Sequence, residues 1–228
     1  MKRSPITRIV TALAIVLAIG AGTLWFLNPS DPLAPLKTLA GQAATTTPAP
    51  DGYAFSYAVK FTALPIEIRD SVVAVDIDCF PGSVPLERNI GPGGWTFVLQ
   101  TSRDSPDAPK GAVAGYLNIF EDNYPVVEPK PEEKVPSVRG PALTNVCIAT
   151  KWRGRKLATP FINFALNTFA KANPGKEWIY LDVLASNNPA MAAYKAAGFE
   201  EMMRLNDGRV VMRRNLKMLT QGLPIERK

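Results

Sequence analysis

The stretch Leu184-Ala185-Ser186-Asn187-Asn188-Pro189-Ala190-Met191-Ala192-Ala193-Tyr194-Lys195-Ala196-Ala197-Gly198-Phe199 decides how this chain is read. It follows an apolar, strand-like run, Glu177-Trp178-Ile179-Tyr180-Leu181-Asp182-Val183. A helix over Pro189–Ala197 places Asn187 at a strand end, beside the helix N-terminus. Tyr194 then lies two turns further along and points back at the same cleft. Gly198 ends the helix in the left-handed conformation that glycine adopts cheaply.

Working outward, Trp178–Leu184 reads as a strand and Leu143–Thr150 (LTNVCIAT) as its predecessor. Phe161–Ala172 is a helix with Phe161, Phe164, Ala165, Thr168 and Phe169 along one side. Thr159 is the expected N-cap, with Pro160 the first helical residue. Between strand and helix lies Trp152-Arg153-Gly154-Arg155-Lys156-Leu157-Ala158, whose backbone N–H groups and helix dipole suit a phosphate. Arg209–Leu216 is a final strand. Strand, helix, strand, helix, strand is the order of an α/β domain with parallel central strands.

Upstream, Tyr53–Leu64 alternates as a first strand. Ile66–Phe80 is ambiguous: Val72-Val73-Ala74-Val75 favours strand, whereas Ile68, Val72, Val75 and Cys79 recur at helical spacing, and we read a helix. Trp95–Thr101 and Gly111–Phe120 are a strand pair around the loop Ser102–Lys110. Glu121–Pro141 is a Pro- and charge-rich insertion, either an acceptor-side wall or solvated decoration.

The strand–Asn–helix–Tyr–Gly-Phe pattern of Asn187, Tyr194, Gly198 and Phe199 resembles the signature of the GNAT acyl-CoA N-acetyltransferases. The loop Arg153–Ala158 resembles the family's Arg/Gln-x-x-Gly-x-Gly/Ala motif, with Lys156 in place of the central glycine. The C-terminal half is similar to protein N-terminal alanine acetyltransferases. The resemblance covers roughly Tyr53 to Leu216. It implies an α/β GNAT fold: a mixed, mostly antiparallel sheet, flanked by helices, in which two parallel central strands splay apart. It also implies direct attack of an amine on acetyl-CoA, without a covalent enzyme intermediate. The acceptor is an amine of a peptide N-terminus, a lysine or a small molecule.

The resemblance assigns Arg153, Gly154, Arg155, Lys156, Leu157 and Ala158 to the pyrophosphate, and Asn187 to the pantetheine arm. Backbone N–H groups of Cys147, Ile148 and Ala149 are the candidates for the thioester carbonyl, where one preorganised donor contributes about 3 kcal/mol. Tyr194 matches the family's general acid. Each has a plainer structural reading: a basic surface turn, a helix cap, a packed tyrosine. For the base, relatives that modify ribosomal-protein N-termini carry a Glu near the start of the strand before the loop. Pro141-Ala142-Leu143-Thr144-Asn145 has no carboxylate. Glu121, Asp122 and Asp182 remain, Asp182 being best placed by spacing, with a structural ion pair as its competing role.

The 228-residue chain has a formal charge of +6, which suits a polyanionic ligand or a membrane surface. No interleaving of aromatic and basic residues points to nucleic acid. Histidine is absent and no CxxC occurs, which excludes a zinc site and any His-paired nucleophile, and no metal is expected. Cys79 and Cys147 are read as buried free thiols, a disulfide between them being open to a domain outside the cytoplasm.

Ile9–Leu27 (IVTALAIVLAIGAGTLWFL) is apolar, uncharged and about long enough to span a bilayer. Lys2, Arg3 and Arg8 precede it, so a single-pass anchor with a cytoplasmic N-terminus is expected. A cleaved signal peptide is the competing reading, with weak small-x-small sites at Ala18-Ile19-Gly20 and Gly20-Ala21-Gly22. The organisation is therefore a basic segment at 1–8, a transmembrane helix at 9–27, a Pro/Ala/Thr-rich linker at 28–52, the GNAT domain at 53–216 and a basic tail at 217–228. The positive-inside rule places the domain outside the cytoplasm, away from cytoplasmic acetyl-CoA, and the sequence leaves its side open. A membrane-tethered, non-catalytic GNAT-shaped module is the alternative that Lys156, Pro160 and the missing carboxylate favour.

Overall fold

The computed structural model describes residues 48–82, 94–125 and 137–220. The proposed basic segment, membrane helix, most of the linker and the end of the tail lie outside these residues. No helix among the described residues is long and apolar enough to cross a membrane.

In chain order the elements are β1 (Tyr53–Ala58), a 3-10 turn at Phe61–Ala63, α1 (Ile66–Cys79), β2 (Trp95–Thr101), β3 (Val113–Pro125) and β4 (Ser137–Ile148). A second 3-10 turn (Thr150–Trp152) leads to α2 (Ala158–Ala172), β5 (Trp178–Leu184), α3 (Asn188–Ala196), β6 (Glu200–Arg204), β7 (Arg209–Asn215) and α4 (Lys217–Thr220). Among the described residues seven strands form one sheet in the order β1-β2-β3-β4-β5-β7-β6. Every pairing is antiparallel except β4 with β5.

α1 resolves the ambiguous segment as a helix. Ile68, Val72 and Val75 are buried on one face, and that burial outweighs the mild helix aversion of β-branched residues. Asp76 is buried too, accepting a hydrogen bond from the Tyr116 hydroxyl. Phe55 of β1 stacks on Phe161 and Phe164 of α2, which fixes that helix against the sheet.

Several expectations need correction. The first strand stops at Ala58 because the chain turns into a 3-10 helix at Phe61. Most of the supposed insertion at Glu121–Pro141 is sheet: β3 runs to Pro125 and β4 starts at Ser137, paired from Tyr116↔Cys147 to Pro125↔Ser137. The middle of that segment lies outside the described residues. α2 begins at Ala158, with Leu157 at its N-cap and no side-chain cap, so Thr159 and Pro160 are already helical. Pro160 is tolerated because first-turn N–H groups have no helical partner in any case. β6 was not expected at all. Cys79 and Cys147 are not free: they form a disulfide, with Cα atoms 6.1 Å apart.

Two irregularities shape the sheet's centre. Partners step from Tyr116↔Cys147 to Asn118↔Thr144, leaving Asn145 and Val146 opposite Leu117 in a bulge. Asn145 takes a left-handed φ of 50° there. Close by, Gly115 lies so near β4 that a Cβ would fall 2.5 Å from the Cys147 carbonyl oxygen. Beyond the bulge β4 stays paired with β3 but not with β5, since its parallel pairing with β5 consists of one pair, Ala142↔Tyr180.

Candidate active site

Where β4 and β5 part, a cavity of about 900 Å³ opens. Its walls include Val146, Cys147 and Ile148 of β4, the turn at Trp152–Gly154, Lys156 to Thr159, and Asn187 to Tyr194 along α3. Cys79 and Phe80 close it from the end of α1.

The basic turn has a backbone suited to an anion. Gly154 (φ 76°) and Lys156 (φ 57°) both take left-handed backbone conformations. Left-handed Lys156 followed by right-handed Leu157 is the pairing that turns successive N–H groups into one concavity. Lys156 thus keeps the backbone shape that glycine would supply and adds an exposed ammonium. Buried Leu157 and Trp152 pin the turn at its two ends. The first N–H groups of α2, uncapped by any side chain, complete the donor set.

The cations of this turn do different things. Arg153 Nε donates to the Ile148 carbonyl at 2.9 Å, and its Nη2 lies 3.5 Å from Cys79 Sγ. It therefore ties the turn to β4 at the cavity wall. Arg155 is absent from the wall: its guanidinium lies over the Trp152 ring at 4.8 Å and pairs with Asp107 at 3.5 Å.

On β4 the three expected donors separate. Ala149 N–H donates to Ala114 carbonyl at 3.0 Å, within the sheet, and Ala149 is not at the cavity wall. It is thus unavailable to an oxyanion. Strand alternation turns Cys147 N–H towards β3 as well, and aims Ile148 N–H at the gap that β5 has vacated. Ile148 is the donor that the geometry leaves free for a carbonyl.

Asn187 is the N-cap of α3, its Oδ1 accepting from Ala190 N–H at 3.3 Å, and it also lines the cavity. Tyr194 is 9% exposed, at the cavity wall, with its ring edge-on to Phe199. Burial, reinforced by the charge of Asp182, pushes its phenol up to about 12. Gly198 (φ 81°) closes α3, with Phe199 N–H donating to the Tyr194 carbonyl at 3.0 Å.

Asp182 lies outside the cavity wall. It is one-third exposed, on the face of β5 away from Ile179, Leu181 and Val183, and pairs with Arg209 at 2.8 Å. Its charge also pushes the buried phenol of Tyr124 upward, after desolvation. Tyr124 stacks on Tyr180 with ring centroids 5.3 Å apart. The charge of Asp182 thus bears on both Tyr124 and Tyr194. Glu121 pairs with Lys176 at 2.7 Å, and Asp122 accepts from Asn123 N–H at 2.7 Å.

Sequence reasoning missed Tyr124, Cys79 and Phe80. The alternation Tyr116, Asn118, Phe120, Asp122, Tyr124 was the available sign that β3 continues. Among the described residues no three metal-ligating side chains gather.

Residues 87–199 match the model of the acetyltransferase (GNAT) family. The fold is similar to that of Arabidopsis thaliana NAA60 in complex with acetyl-CoA, at 15% identity and TM-score 0.50, covering 71% of this chain and 98% of that one. A mutant AtaT toxin bound to the C-terminus of the antitoxin AtaR aligns at 14% identity and TM-score 0.50, over 77% of this chain and 100% of that one. The ribosomal-protein-S18-alanine N-acetyltransferase from Escherichia coli aligns at 16% identity and TM-score 0.47, over 75% of this chain and 100% of that one. No curated protein sequence matches the chain.

Proposed function

We propose that this chain, whose residues 87–199 belong to the acetyltransferase (GNAT) family, is a membrane-anchored enzyme. It moves an acetyl group from acetyl-CoA to a primary amine of a peptide or small molecule. The observation that carries the reading is the single β4–β5 pair at Ala142↔Tyr180. That gap admits a pantetheine arm between two strands that would otherwise exclude it.

The cradle at Gly154–Thr159 holds the pyrophosphate, with Lys156 supplying charge. Ile148 N–H receives the thioester oxygen as it becomes an oxyanion. The amine approaches from the other mouth, beside Tyr124 and Asp182, and water carries its proton to Asp182. Tyr194, kept protonated by its raised pKa, donates to the departing CoA thiolate.

Ile9–Leu27 tethers the domain, and the N-terminal lysine and arginines favour a position outside the cytoplasm. The Cys79–Cys147 disulfide supports that side, since disulfides persist in oxidising compartments. A reporter fused after Lys228 reads the side directly, and a cytoplasmic signal overturns the placement.

Acetyl-CoA titrated into the detergent-solubilised protein tests the activity. Micromolar binding that weakens in Arg153→Ala/Lys156→Ala, together with acetyl transfer to a peptide amine, is the expected result. No binding at millimolar donor refutes it and leaves a tethered interaction module.

A further inference from the structure

Behind the cleft wall lies a buried cation that this reaction scheme does not use. Arg214 of β7 is 6% exposed and sits opposite Ile179 in the sheet register. Among the described residues it has no carboxylate partner. Its Nη1 donates to Asn163 Oδ1 at 2.8 Å and to the Ala197 carbonyl. Burial lowers its pKa to about 10, with no acidic neighbour offsetting the shift.

A guanidinium buried in this way is costly unless something nearby favours positive charge. The C-terminus of α3 does so: its last carbonyls lack helical partners and carry the negative end of the dipole. Ala197 is the C-cap of that helix. Gly198 leaves the room, since a Cβ there would meet Arg214 Nε at 3.3 Å.

The two acceptors belong to the two helices that wall the cavity. Asn163 follows Ile162 in α2, and Ala197 is one turn beyond Tyr194 in α3. Arg214 thus bonds to both helices at once, through a side chain of α2 and the C-terminal backbone of α3. We propose that Arg214 is a positioning residue, locking α3 to α2 so that the Tyr194 hydroxyl is held at the throat of the cleft. This rests on the acid role given to Tyr194. The phosphate cradle, at the N-terminus of α2 little more than one turn before Asn163, is pinned separately by buried Trp152 and Leu157.

The test uses the full-length protein, with kcat and KM for acetyl-CoA measured in Arg214→Lys, Arg214→Met and Asn163→Ala, each with and without Tyr194→Phe. Asn163→Ala removes one acceptor and leaves the cation on Ala197, so it keeps a folded variant available if Arg214→Met does not fold. A displaced acid costs rate steeply, so Arg214→Lys is expected to lower kcat about tenfold. Asn163→Ala is expected to lower it about threefold by the same displacement. KM for acetyl-CoA stays within about twofold in both, because uniform binding at the cradle is retained. In the Tyr194→Phe background Arg214→Lys and Asn163→Ala cause no further loss, as expected of residues acting through one group. Losses that multiply in the double variants overturn the proposal, as does an unchanged kcat in folded Arg214→Lys. If Tyr194→Phe alone leaves kcat unchanged, the acid reading itself has failed, and that result is distinct from the other two.

Discussion

Breaking the Cys79–Cys147 bond probes both stability and the cleft. The bond closes a loop with a sequence separation of 68 and joins the last residue of α1 to β4. Loop-closure entropy for that length amounts to about 4 kcal/mol at 25 °C. For a domain of this size each kcal/mol moves Tm by about 2–4 °C, so Cys79→Ser/Cys147→Ser should melt roughly 8–16 °C lower. Reductant should lower the wild-type Tm by a similar amount and leave the double variant unmoved. Both cysteines belong to the cavity wall, so the variant should also bind acetyl-CoA more weakly. Thermal unfolding in detergent, with and without reductant, measures the first effect, and calorimetric titration the second. A shift smaller than about 3 °C, or two readily alkylated thiols in the native protein, would refute the argument.

Lys156→Gly should relieve left-handed strain of about 1 kcal/mol, partly offset by glycine's greater freedom when unfolded. A slightly higher Tm with acetyl-CoA binding about three- to fivefold weaker, more so at low salt, is the expected pair of results; tighter binding would show that the side chain obstructs. Tyr194→Phe should lower kcat about a hundredfold with little change in acetyl-CoA affinity, which stopped-flow transfer and equilibrium titration separate. Because a general acid must be protonated, and burial raises this phenol to about 12, the alkaline loss of kcat it controls should begin well above pH 10. The same shift means its contribution to stability is full below pH 10 and is lost as pH rises towards 12. An alkaline limb at pH 8–9 that vanishes in Tyr194→Phe would contradict the assignment. Asp182→Asn should cost at most about 1 kcal/mol of stability, since its ion pair with Arg209 is partly solvated. Its kcat/KM should nonetheless fall at least about tenfold if the amine's proton passes there; an unchanged value would leave Asp182 a purely structural partner.

The parts of the fold that were legible are those where local pattern and tertiary environment agree. Trp95–Thr101 and Trp178–Leu184 are strands with the limits read from their apolar runs. Asn187, Tyr194 and Gly198 keep the relation their spacing implied, because one short helix links them rigidly. Pro141 misled the reading by marking a loop. It sits inside β4 instead, at a level where that strand has only Ala142 paired towards β5 and so resembles an edge, where proline is tolerated. β6 was hidden because Glu200, Glu201 and Arg204 outweigh Met202 and Met203, and its partner β7 supplies the burial. Spacing along the chain carries no information on the 6.1 Å that brings Cys79 to Cys147.

The cleft itself arises where regular pairing stops, and each departure has a local cause. The bulge at Asn145 and Val146 adds a residue to β4 just after its last contact level with β5. An added residue increases local twist and bends the strand, carrying Val146 to Ile148 away from β5 while β3 still holds them. β5 cannot follow, because it is paired along its whole length to β7, from Trp178↔Asn215 to Leu184↔Arg209. One strand is therefore bent by its own backbone and its neighbour is held straight by the opposite side of the sheet. The gap between them is the low-energy result. In the gap Ile148 N–H points away from β3 and has no β5 partner, and it is the donor that the proposed mechanism offers to a thioester oxygen. The donor proposed for the thioester and the gap beside it thus have the same origin, the bulge in β4 at left-handed Asn145.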